Sequence, residues 1–482
     1  MAWDTTASPR TNGGLGNLQD GGRIANPPVR SRAVRPLPAL PTGRRQRGTL
    51  AVGVRGCPPW PVSQVGSTLP RNATPVPPIP SPPPDAIADP DGLLDDLRDE
   101  AVRLGFARLG VASTAQEHRD GFVHEAFRSW LERGLGGPMT DWLAGHESLR
   151  RDPDGMLRGV RSVVMLATDH PRPEEAFTAD GSGRVAAYAR GDDYHPLLRR
   201  RVNNLGAWLE ARVPGCRTRG VVDSAPFSER EFGWLAGLGW FGKNCLLIDP
   251  TAGSYFLLTA LLTDLVLPVA EPIRVDHCGT CTACLDACPT GAFVAPRLLD
   301  AGRCISGITI EQRGPVSAWL RSALGTWVFG CDVCQEVCPW NRRAPGSAEP
   351  TLQPRDGAGG LELASLFGLD DAGFRERFRG SAILRSKRSG LLRSAAIALG
   401  NRPDPAAAAT LVAALDDADS IVRGAVAWAL GRWLVAEGAL APLATAALAA
   451  RQPREVDPDV RREIEAALRG IVASPDTPSE RR

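Results

Sequence analysis

Eight of the eleven cysteines lie between Cys278 and Pro339, at spacings that suit metal ligation better than packing. The first run reads Cys278-Gly-Thr-Cys281-Thr-Ala-Cys284-Leu-Asp-Ala-Cys288-Pro289. Cys304 stands alone, and the second run reads Cys331-Asp-Val-Cys334-Gln-Glu-Val-Cys338-Pro339. The first run has the bacterial ferredoxin spacing, in which tight turns present three thiolates to one cubane and the fourth cysteine ligates the other. The second run lacks one cysteine of that pattern, and Cys304 replaces it. The predicted ligand sets are Cys278, Cys281, Cys284 and Cys338 for one 4Fe-4S cluster, and Cys288, Cys304, Cys331 and Cys334 for the second. Zinc ligands come as separated Cys-x2-Cys pairs, not as a run of four. A disulfide framework suits a short secreted chain, and this chain has 482 residues with no convincing export signal. The chemistry is electron transfer.

What the electrons are for must be read from the flanks. Before the cysteines, helical and strand patterns alternate. Asp91 is expected to cap a helix carrying Leu94, Leu97, Ala101 and Leu104, ended by Gly105. Strands are expected over 106–111, 160–168, 219–223 and 254–262, and helices over 124–131, 195–212 and 227–238. That alternation predicts an α/β domain over residues 88–270. Asp223 falls at a strand end, the usual place for a site residue in such a sheet, and equally a place for a turn cap. No Gly-x-Gly-x-x-Gly or Walker pattern opens a helix after a strand, so electrons are expected from an outside donor.

The combination of Val222-Asp223-Ser224-Ala225-Pro226, Ala236-Gly-Leu-Gly-Trp-Phe-Gly-Lys243-Asn244, the paired cysteine runs and Cys304-Ile305-Ser306 resembles the epoxyqueuosine reductase family. The resemblance runs from about residue 90 to residue 470. It implies a cobalamin held over the α/β domain beside one cluster, and reduction of the epoxide of epoxyqueuosine at the wobble position of tRNA to queuosine. Asp223 matches the family's proton donor, a role that expelling the oxygen as water requires and that burial would favour by raising its pKa. The resemblance places Arg150, Ala186, Asp223, Leu247, Leu258 and Ser306 near cobalamin and Arg313 against tRNA. Ala187 stands where the family often has arginine. Cys216 and Cys245 fall outside both ligand sets and read as buried structural thiols.

After the clusters, residues 391–400 and 421–431 are related copies whose terminal glycines, Gly400 and Gly431, lie 31 positions apart. Val460-Arg461 repeats Val422-Arg423. This periodicity predicts a HEAT-like α-solenoid over residues 346–475. Its first part, Phe374 to Arg393, carries seven basic residues against Glu376 alone, a net +6. With Phe374 and Phe378 interleaved, Arg385, Lys387 and Arg388 are expected to contact tRNA phosphates, although a charge run is also an ordinary solvated face.

Residues 1–87 are different material, a Pro/Arg-rich extension expected to be disordered. Residues 1–84 hold seventeen of forty-two prolines, ten arginines and only two acids, Asp4 and Asp20. The whole chain carries a net charge of +2 and no apolar run of about 18 residues, so no membrane span is expected. The expected architecture is a mixed α/β and α+β multidomain protein. It comprises the extension, the cobalamin-binding α/β domain, a ferredoxin-like two-cluster domain over 271–345 and the solenoid. A cytoplasmic monomer with a flavodoxin- or ferredoxin-type donor is expected. Two other readings remain at this point. A reductive dehalogenase would carry an export signal and no basic repeats, and a ferredoxin-like carrier would leave Asp223 and the repeats without purpose.

Overall fold

The computed structural model describes residues 87–115, 122–172, 181–355, 360–436 and 438–471, so the expected disordered extension lies outside the described residues except for Ile87, which packs against the core. The first helix, α1 (Pro90–Arg103), is capped by Asp89 instead of Asp91: its carboxylate accepts the Gly92 N–H, and Pro90 takes the first helical position, where no N–H is needed. The main sheet follows as β1 (Arg108–Ser113), β2 (Ser162–Asp169), β4 (Thr218–Val222) and β5 (Phe256–Thr263), each within two residues of its predicted start. Its order is β1-β2-β5-β4, and every pairing is antiparallel.

Strand β2 is buried from Ser162 to Thr168, because both faces of the sheet are covered. On one face Val164, Leu166 and Leu261 pack against Leu97 of α1 and against Leu198 and Leu205 of α2 (Tyr194–Arg212). On the other, Val163, Met165 and Leu262 meet Phe232 and Leu235 of α3 (Glu229–Leu235). Helix α3 is shorter than the predicted 227–238. Gly237 takes φ 72° beyond its end, and at Gly239 the backbone passes so near the Ile248 carbonyl that a Cβ would lie 2.4 Å away.

A second sheet joins distant parts of the chain. Here β3 (Ser182–Val185) pairs in parallel with β6 (Trp327–Phe329) and antiparallel with β7 (Gly360–Glu362). Around it one apolar core contains Val185, Ile308, Val328, Leu391, Trp428 and Ile464. The expected boundaries near 270 and 345 therefore mark changes along the chain, while the side chains pack across them.

The cysteine runs fold as short turns and helices: α4 (Ala283–Asp286), α5 (Ile305–Glu311) and α6 (Val333–Glu336). The solenoid is built on α7 (Lys387–Asn401), α8 (Ser420–Val435) and α9 (Pro458–Leu468). The repeated glycine has a packing reason, since a Cβ on Gly400 would meet the Trp428 ring at 2.6 Å. Phe374 and Phe378 are buried in the shared core, not offered for stacking. Arg393 is buried too, donating to the carbonyls of Ile308, Gln312 and Gly314.

Candidate active site

The cysteines converge as two groups. Cys278, Cys281, Cys284 and Cys338 line one cavity with Lys243, Asn244 and Ile248. Cys288, Cys304, Cys331 and Cys334 form the other group: the Cys331 thiol lies within electrostatic reach of Cys304 and Cys288, and Cys334 of Cys331 and Cys304. Among the described residues no three His, Cys, Asp or Glu side chains converge on a single metal ion. A cavity ringed by four thiols fits a cluster better than a zinc ion, whose ligands must close on one point. Burial pushes Cys284 up to about 11 and holds Cys304, Cys334 and Cys338 high, so these thiols are neutral until a metal displaces their protons.

The Gly-Lys-Asn segment fastens both cysteine loops. Lys243 Nζ donates to the Gly279 carbonyl at 2.6 Å and the Cys281 carbonyl at 2.9 Å. Asn244 Nδ2 donates to the Cys334 carbonyl at 3.4 Å. Ser306 lies at the second group, where its N–H and that of Gly307 point to the Cys304 sulfur. Cys216 is buried with its thiol toward the Leu209 carbonyl, as expected, whereas Cys245 is only half-buried and lies within electrostatic reach of Cys304.

Asp223 follows directly on β4 and is held by Tyr194 and His195, which end a glycine-containing loop (Tyr188 to His195) that stands out in the sequence as opening a helix but carries no assigned role there. Tyr194 Oη donates to Asp223 Oδ2 at 2.5 Å, and His195 Nε2 meets the same oxygen at 3.1 Å. The other ring nitrogen, Nδ1, lies 2.7 Å from Oδ1 of Asp193, the cap of α2. An imidazole between two carboxylates is bonded at both nitrogens only as the cation. Burial pulls the His195 pKa down, but the bonds to Asp193 and Asp223 outweigh it and carry it up to about 9. For Asp223 the balance runs opposite to the sequence expectation. The protein walls around the mouth desolvate it and push it up, yet the His195 and Tyr194 bonds and the His195 and Arg385 charges leave it below the usual carboxylate range. Its side chain remains 54% exposed, an open mouth where a substrate can arrive. The proton at this site is stored on His195. The local signal was Asp193-Tyr194-His195 at a helix start, facing a strand end 28 residues on.

Two further groups flank the segment that follows Asp223. Arg150 Nη1 donates to the Phe227 carbonyl at 3.0 Å, its guanidinium lies over the Phe127 ring, and its Nε is buried without a partner. Glu229 Oε1 is also buried without a partner. An orphaned donor and an orphaned acceptor near Asp223 fit a ligand carrying amide groups, as a corrin ring does. Leu258 keeps some surface, whereas Ala186 and Leu247 are only 1% and 3% exposed, so neither side chain is open to a ligand. The buried Tyr188 phenol feels both Asp223 and Asp332, so the Asp223 site and the second cysteine group are neighbours.

The basic run reaches the same site, but not all of it is free. Arg385 is 57% exposed, pairs with Glu311 at 2.9 Å and acts electrostatically on Asp223. Lys387 is exposed at the start of α7. Arg313 donates to the carbonyls of Arg385 and Ser386, fixing that loop, and retains 46% exposure. Arg388 differs from expectation: only 15% exposed, it donates to the Leu369 carbonyl and pairs with Asp417, so it is committed to the solenoid.

Comparison with known proteins places this arrangement. Residues 150–224 match the family model described as epoxyqueuosine reductase QueG, residues 277–341 a 4Fe-4S double cluster binding domain, and residues 380–469 HEAT repeats. An epoxyqueuosine reductase of Pseudomonas aeruginosa is 40% identical over 350 residues, covering 71% of this chain and 95% of the relative. A crystal structure of epoxyqueuosine reductase with an epoxyqueuosine-modified tRNA-Tyr stem loop superposes with TM-score 0.71 at 28% identity, over 80% of this chain and all of that one. A Bacillus subtilis epoxyqueuosine reductase, whose catalytic aspartate loop is swung out of the active site, matches with the same score, identity and coverage. The chain belongs to the epoxyqueuosine reductase family of iron–sulfur oxidoreductases.

Proposed function

We propose that this chain reduces the epoxide of epoxyqueuosine at the wobble position of tRNA, using a cobalamin fed by two 4Fe-4S clusters. The observation that carries this reading is the Asp193–His195–Asp223 relay at the end of β4, next to the second cysteine group. The reaction consumes two electrons and two protons: both carbon–oxygen bonds break, a carbon–carbon double bond forms, and the oxygen leaves as water. Cobalamin supplies the electrons at the substrate when bound. Arg150, Leu258 and Ser306 would hold it. His195 stores a proton, Tyr194 and His195 aim the Asp223 carboxylate, and Asp223 hands that proton to the departing oxygen, the second proton coming from solvent through the open mouth. The exposure of Cys281 supports an approach by a flavodoxin- or ferredoxin-type donor on that side of a monomer. The related complex with a modified tRNA stem loop supports tRNA as the substrate.

Anaerobic reconstitution with iron, sulfide and cobalamin, then mass analysis of nucleosides from epoxyqueuosine-containing tRNA, tests the proposal. Queuosine must appear. Unchanged epoxyqueuosine in a protein that has bound both clusters and cobalamin would sink it.

Arg385 and Lys387 are assigned to tRNA phosphates, with Arg313 supporting their loop. Replacing both with alanine should weaken binding equally for different tRNA sequences, because a phosphate carries no base information. The log–log salt slope should flatten by about 0.7–0.9 for each phosphate that the variant no longer neutralises. Binding titrations over a range of salt measure this. An unchanged slope would make the run a solvated face.

A further inference from the structure

A two-strand ribbon, Trp240–Phe241 paired with Leu247–Ile248, lies against the first cysteine group. Trp240 stands directly opposite Ile248, so the two side chains leave the same face of the ribbon. Ile248 lines the cavity that Cys278, Cys281, Cys284 and Cys338 share. Trp240, Ile248 and Cys338 form one small apolar cluster, with Cys278 and Trp340 packed against it. Two rings hold the indole in place: Trp340, with ring centres 4.9 Å apart at 75°, and His277, 4.8 Å apart at 63°. The polar atom of this fixed side chain has no use within the protein. Trp240 is 2% exposed, and its Nε1 is buried without an acceptor among the described residues. An indole N–H can only donate, and burying it unpaired is costly. The cysteines packed beside it become strong acceptors once their thiols ionise to bind iron.

We propose that Trp240 tunes the cluster held by Cys278, Cys281, Cys284 and Cys338: its indole N–H donates to a sulfur there and raises the reduction potential. This rests on the assignment of those four cysteines to one 4Fe-4S cluster, and not on the epoxide chemistry. An electron added to a cluster spreads negative charge over its sulfurs. A hydrogen bond to sulfur is therefore stronger in the reduced state and favours it. The gain falls on the group whose Cys281 is exposed, so Trp240 assists the uptake of an electron from outside.

Trp240→Phe keeps an aromatic ring among Trp340, His277 and Cys338 but removes the N–H. Potentiometric titration of the cluster-loaded protein, followed by electron paramagnetic resonance, reads the effect without tRNA. The signal to follow is the one that Cys281→Ala removes. In Trp240→Phe its one-electron equilibrium should shift about tenfold toward the oxidised cluster, the scale of one hydrogen bond, or about 59 mV more negative. A role in packing alone has the opposite sign, because water entering past a smaller ring stabilises the more negative reduced state. An unchanged or more positive potential would overturn the proposal. Should Trp240→Phe fail to hold iron, Trp340→Phe decides, since it lacks the other indole beside the cavity. Labelled isotopically at its indole nitrogens and reduced, that protein should show a weak nitrogen coupling to the cluster in electron–nuclear double resonance. Its absence would equally sink the idea. Both measurements need only the reduced cluster, so a failure to reduce epoxyqueuosine leaves them standing on their own.

Discussion

Asp223→Asn will lower turnover about a hundredfold to ten-thousandfold, the usual worth of general acid–base catalysis, while tRNA affinity stays unchanged. Asparagine keeps the shape of the carboxyl but cannot pass a proton on. The substitution also removes one of the two carboxylates that keep His195 charged, so the proton store drains at a lower pH than about 9. The two effects compound in one variant. Single-turnover reduction by pre-reduced enzyme isolates the step, and tRNA binding is measured in parallel. Turnover at the parent rate would leave Asp223 as a mere turn cap.

Cys288→Ala will abolish turnover by removing the cluster that also uses Cys304, Cys331 and Cys334. The prediction is specific because Cys288 belongs in sequence to the first run but faces the second group in space: its charge bears on Cys304 and Cys331. Iron content should fall by about half, as expected when one of two equal clusters is missing. The spectroscopic signal that disappears should match the one missing in Cys304→Ala and differ from the one missing in Cys281→Ala. A match to Cys281→Ala would break the crossover assignment.

The cysteine sets were legible in the sequence because ligand spacing is a local property, written within turns of a few residues. Asp223 was legible as a strand end. Tyr194 and His195 were legible only as the end of a glycine-containing loop opening a helix, since their role depends on a partner 28 or more residues away that only the sheet brings near. The same limit explains the basic run. Charge and aromatic spacing show that Phe374, Phe378, Arg388 and Arg393 share a segment, but not which of them turn inward. Arg388 meets Asp417 and Arg393 meets the carbonyls after α5, both pairings that tertiary packing decides. The direction of the Asp223 shift was likewise hidden, because burial alone raises a carboxyl and the His195 and Tyr194 bonds, with the His195 and Arg385 charges, reverse the sign.

The sheet that joins β3, β6 and β7 has a consequence for how this chain can be divided. Its strands come from before the cysteines, from between them and from the approach to the repeats. Val328, buried between these segments, shares one core with Leu391 and Trp428. A fragment of this chain ending near residue 345 would uncover that apolar surface, so its repeats are not an independent bead on a string. Trimming should destabilise the cysteine turns along with the missing helices. Heating the intact protein should accordingly melt the cluster absorbance and the helical signal in one transition, not two.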